Sequence, residues 1–112
     1  MNDHYKINWM VTGENCNIYE YNIVKYLIRY QYKGKPIEDI KKALDYAEVY
    51  LTRDVKPSKS ISKEVIDSIV KCCKLNESIE CCLYDLLVLD RKEFVPTWIN
   101  LLISDLKEMK EV

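Results

Sequence analysis

The sequence predicts an all-α protein of four to five helices, with an N-terminal antiparallel helical hairpin packed on a C-terminal helical segment. Three observations predict it. Only two glycines and three prolines occur in 112 residues, too few turn formers for a sandwich or barrel, which needs one every 8–12 residues or so. Apolar residues recur at three- and four-residue spacing through most of the chain. Helix start and stop residues fall where that spacing is interrupted.

Residues 1–15 mix Trp9, Met10 and Val11 with Gly13 and Asn15 and show no sustained period, so they read as an ordered arm or a short helix. From about Asn17 to Lys33 the pattern is helical, with Ile23, Leu27 and Tyr30 in one stripe widened by Val24 and Ile28. Gly34 then stops the helix and Pro36 opens the next, the asymmetry typical of helix ends. The second helix, about Pro36 to Leu51, carries Ile37, Ile40, Leu44, Ala47 and Leu51 as its apolar face. A link as short as Lys33-Gly34-Lys35 folds the two helices back on each other.

Residues 53–62 are polar and Ser-rich around Pro57, the one linker-like stretch of a single helical domain spanning 1–112. They separate the hairpin half, 1–52, from the C-terminal helices, 63–112. Ser62 caps a third helix with Val65, Ile66, Ile69, Val70 and Cys73; Asn76 caps a fourth with Ile79, Leu83, Leu86 and Leu87. A fifth begins near Pro96 and carries Trp98, Ile99, Leu102, Ile103, Leu106 and Met109.

A formal charge of −1 excludes the bulk electrostatics of a general nucleic-acid or anionic-membrane binder, so any anion site is local. The N-terminus has no signal-peptide pattern and no apolar run reaches a membrane span, which points to the cytoplasm. Four of the five cysteines form vicinal pairs, Cys72-Cys73 and Cys81-Cys82. That pattern suits reduced thiols, and it lacks the ligand gap of zinc ribbons. No metal site and no cofactor is expected. No phosphate loop, dinucleotide fingerprint or nucleophile elbow occurs, and two glycines cannot build the first two.

On a helical wheel Asn22, Lys25, Arg29 and Lys33 fall within about 80° of one another, opposite Ile23 and Leu27. Tyr26 and Tyr32 flank them. Cations beside an amide and phenol rings can hold a phosphate and stack a base; the alternative is a solvated face. On the second helix Asp39, Lys42 or Ala43, Tyr46 and Tyr50 form another stripe. Asp39 either stabilises the helix terminus or faces the cations of the first helix and accepts a ribose hydroxyl. His4 is the one histidine available for acid–base work.

The run from Asn22 through Lys25-Tyr26, Arg29, Lys33, Glu38-Asp39 and Lys42-Ala43 to Tyr46 resembles a family of small bacteriophage proteins, mostly of unknown function. Their pattern is approximately G-N-x-[IV]-K-Y-[LIV]-x-R-x-x-x-K followed by E-D-[LI]-x-K-A-x-x-Y. His4-Tyr5 falls where the family has an upstream H-Y pair, and Tyr21 stands where it usually has Gly. The family includes a podophage nucleotide kinase that acts on nucleoside monophosphates. The resemblance implies a nucleotide or other phosphorylated ligand at Asn22, Lys25, Tyr26, Arg29, Lys33, Asp39 and His4, with phosphoryl transfer to a nucleoside monophosphate, in a host cytoplasm.

Two other functions compete with this one. One uses the same residues for sequestration of a host nucleotide signal without turnover. The other is a helical adaptor or inhibitor of a host protein, docking through the helix of Trp98, Ile99, Leu102 and Leu106 or through the aromatic N-terminal arm. A homo-oligomer, with a site completed between protomers, is also expected for so small a chain rich in aromatics.

Overall fold

A computed structural model describes residues 16–32, 34–55 and 61–111, with side chains as far as Glu108. Among them lie five α-helices, and no strand. Helix α1, Ile18–Arg29, starts at a reciprocal cap: Asn17 Oδ1 accepts from the Glu20 N–H at 2.9 Å, and Glu20 Oε1 accepts from the Asn17 N–H at 3.0 Å. Such a box satisfies two donors that the first turn would otherwise leave free. The helix ends earlier than the periodicity implies, tightening into a 3₁₀ turn over Tyr30–Tyr32. Lys33 lies outside the described residues.

Helix α2, Pro36–Thr52, returns antiparallel along α1 as predicted, but its buried face is rotated from the expected stripe. Ile40, Ala43, Ala47 and Tyr50 are buried, Ile37 and Leu44 are half-buried, and Leu51 is 40% exposed. The reason is packing on two sides. α2 lies between α1 and the last helix, and the small side chains of Ala43 and Ala47 permit close approach along its middle. Tyr50 fills the end of that strip.

Helix α3, Lys63–Cys73, is capped by Ser62 and buries Ile66, Ile69 and Cys73. It closes on Lys74 in the left-handed region, φ 52°, a position where glycine is usual. Helix α4, Glu77–Leu83, is capped by Asn76 Oδ1 at 2.9 Å from the Ile79 N–H. It runs on into a π-helical turn, Tyr84–Val88, closed by the Leu89 N–H on the Tyr84 carbonyl at 2.8 Å. A 3₁₀ turn, Lys92–Phe94, leads into α5, Val95–Glu111, which packs on both α2 and α4. The starts of α3 and α4 were legible from their caps, Ser62 and Asn76, and that of α5 from Pro96. The π turn was not.

One core joins the hairpin to the C-terminal helices, with Ile23, Leu27, Ile40, Ile66, Leu83, Ile99 and Leu102 all essentially inaccessible. Ile61 anchors the start of α3 through its N–H on the Leu87 carbonyl at 3.1 Å. Among the described residues no helix is long and apolar enough to cross a membrane.

Candidate functional site

The α1–α2 hairpin brings the tyrosines and lysines of both helices together. The rings of Tyr26 and Tyr46 stack with centroids 6.1 Å apart and 23° between planes. The Lys25 ammonium lies 4.7 Å from the Tyr26 centroid and 5.7 Å from that of Tyr21. From α2, the Lys42 ammonium reaches the same Tyr26 ring at 5.6 Å. Among the described residues neither lysine is ion-paired with a carboxylate, whereas Lys35 and Glu38 are paired, at 3.9 Å. Each ammonium gains a modest attraction from the ring quadrupole, and the two repel each other. An anion seated between them removes that repulsion.

The predicted site residues are not all placed as an open face. Asn22 is only 8% exposed, and its amide Nδ2 donates to the Ile18 carbonyl one turn back at 2.8 Å. The expectation that it stands with the cations opposite the core is therefore corrected: its amide nitrogen is committed to its own helix, so it shapes α1 instead of presenting a donor outward. Lys25, Tyr26 and Arg29 are half-buried. Arg29 occupies the last turn of α1, where a cation complements the helix dipole, and it too has no carboxylate partner among the described residues.

Asp39 lies in the first turn of α2, one turn from Lys42 on the same side of the helix. Its Oδ2 is shielded from solvent and accepts no hydrogen bond from the described residues, an arrangement that costs free energy unless something donates to it. His4 and Lys33 lie outside the described residues. Lys42 and Tyr46, marked in the sequence as one stripe with Asp39 but not joined there to the first helix, meet the Tyr26 ring in the fold. Their signal was the hairpin register, which sets Tyr46 opposite Tyr26 and so carries Lys42 to the same ring.

Elsewhere the aromatic helix proposed as an adaptor surface is largely interior: Ile99 and Leu102 are each 1% exposed. Cys72 is exposed, Cys73 and Cys82 are buried and Cys81 is half-buried, all as free thiols. Among the described residues no three His, Cys, Asp or Glu side chains converge as metal ligands.

Residues 3–48 match a protein family of unknown function, DUF3310. The match takes in α1, most of α2 and every one of the seven predicted site residues, and ends before α3. No curated protein and no solved structure matches the chain.

Proposed function

We propose that this chain is a small phage-type nucleotide-binding protein that holds a phosphate at Lys25 and Lys42, with Arg29 at the end of α1 as a third cation. One observation carries the reading: two ammonium groups from different helices converge on the Tyr26 ring, and no carboxylate of the described residues is paired with either. The stacked Tyr26 and Tyr46 offer a ring pair for a base, and the Asp39 carboxylate, through the oxygen that is not shielded, an acceptor for a ribose hydroxyl. In phosphoryl transfer to a nucleoside monophosphate, the activity the phage resemblance implies, Lys25 and Arg29 neutralise charge spreading over the equatorial oxygens.

The test is a thermal-shift panel of nucleoside mono-, di-, tri- and cyclic phosphates on the full chain, repeated with Lys25→Ala/Arg29→Ala and with Lys42→Ala. Stabilisation that disappears in both variants supports the site. Product analysis by ion-exchange chromatography then separates turnover from sequestration. No stabilisation by any nucleotide sinks the proposal.

A further inference from the structure

A second place in the fold has the makings of a binding site, outside the region that matches the family. The π-helical turn ends in a tight reversal, with Asp90 in the left-handed region at φ 53° and the Arg91 N–H on the Asp85 carbonyl at 2.6 Å. This folds residues 85–91 against the start of α5. Asp85, Arg91, Phe94, Thr97 and Trp98 line a hollow there of about 300 Å³, at the lower end of the range for small-molecule sites.

Asp85 is more than nine-tenths buried, being 8% exposed. One carboxylate oxygen, Oδ2, accepts the Trp98 indole N–H at 2.6 Å; among the described residues nothing donates to Oδ1, which stays open to solvent, and no cation pairs with the group. A buried carboxylate normally has a charged partner or a full set of donors. Arg91 lines the same hollow, yet its guanidinium is not within ion-pair distance of Asp85. Two further lining residues are aromatic, Trp98 half-buried and Phe94 48% exposed.

We propose that this hollow binds a small zwitterion of the α-amino acid class, its ammonium on Asp85, its carboxylate on Arg91 and its side chain against Phe94 and Trp98. The ammonium meets both an unfilled acceptor and an indole, which favours cations. The guanidinium fork matches a carboxylate, and it disfavours a simple amine, which brings positive charge alone. A π-helical turn inside a helix is a frequent companion of functional sites, and here it is what places Asp85 at the mouth of α5.

The test follows the Trp98 indole N–H resonance in the ¹⁵N-labelled full chain, assigned with Trp98→Phe, during titration with phenylalanine, phenethylamine and 3-phenylpropionate. Phenylalanine is expected to shift the resonance saturably, and each half-charged analogue to bind about tenfold more weakly or worse, since each leaves one charged hydrogen bond unmade. Asp85→Asn is expected to weaken phenylalanine by a similar factor. Arg91→Ala, at an exposed position, is expected to weaken phenylalanine and leave phenethylamine unchanged or tighter, which keeps the test decisive if Asp85→Asn does not fold. No shift at millimolar phenylalanine, equal binding of all three compounds, or indifference to both variants overturns the proposal.

Discussion

The Tyr50 hydroxyl accepts a hydrogen bond from the Asn17 side-chain amide at 3.0 Å, joining the cap of α1 to the far end of α2. The contact closes the open end of the hairpin, while the short link at Gly34 closes the other. Around it the Tyr19 ring stacks on Tyr50 with centroids 5.5 Å apart. The Lys92 ammonium sits 4.3 Å from the Tyr50 ring centroid and donates to the Tyr50 carbonyl at 3.3 Å. One side chain thus couples α1, α2 and the turn before α5.

Tyr50→Phe is accordingly expected to lower stability by about 1–2 kcal/mol, because it removes the hydroxyl yet keeps the ring and its stacking. Asn17→Ala should cost about as much or more, since the cap is lost along with the bond. Urea denaturation of both single variants and the double variant measures the coupling. Additive effects would show that the two groups do not act as a pair.

Alkaline pH should weaken the fold. The Tyr84 hydroxyl donates to Asp67, and this bond, ahead of burial, pushes the phenol from 10.0 up to about 12. Burial, then the Glu20 charge, pushes the Cys16 thiol from 9.0 up to about 12. Burial likewise raises Tyr30, Tyr50 and Cys82. The folded state prefers the neutral form of each group, so their contribution is complete below the ordinary thiol and phenol range. It is lost as pH climbs from about 9 through about 12. Urea midpoints measured across that window are expected to fall, with a shallower decline in Tyr84→Phe.

The rotated register of α2 can be read by substitution. Leu51→Ser, on the stripe that periodicity marks as apolar, is expected to change stability by less than about 0.5 kcal/mol because Leu51 is exposed. Ala43→Leu is expected to cost about 1–3 kcal/mol, since Ala43 is fully buried and extra methylene groups have no room. The reverse ranking would refute the packing of α2 between α1 and α5.

The vicinal cysteines should behave unequally. Cys72 is exposed and Cys73 is buried, so an alkylating reagent is expected to label Cys72 in the native protein and Cys73 only on unfolding. In the second pair Cys82 is buried and its thiol is pushed up by burial and then by Asp85, so it should stay unlabelled until the chain opens. Mass spectrometry of peptides from native and denatured protein distinguishes the sites.

Local chemistry is what made the helices legible. Ser62 and Asn76 cap the helices that they mark in the sequence, Pro36 opens α2, and Ile23, Leu27, Ile66, Ile69 and Ile99 are buried as their spacing implies. The same wheel misjudged Asn22, because an amide can bond back to its own helix and turn inward. It also missed the π-helical turn Tyr84–Val88, which has no cap or spacing signal in the chain.

By itself the sequence determined the helical class, the caps, the hairpin and the presence of Lys25, Tyr26 and Arg29 on one side of α1, all of which depend on residues within a few positions of one another. Only the tertiary structure decided that Lys42 joins Lys25 at the Tyr26 ring, that Asp39 keeps an oxygen unfilled by the described residues, and that Asp85 and Arg91 line one hollow. Those relationships depend on which faces of different helices meet. That choice is made by packing summed over the whole core and has no signature in any single stretch of chain.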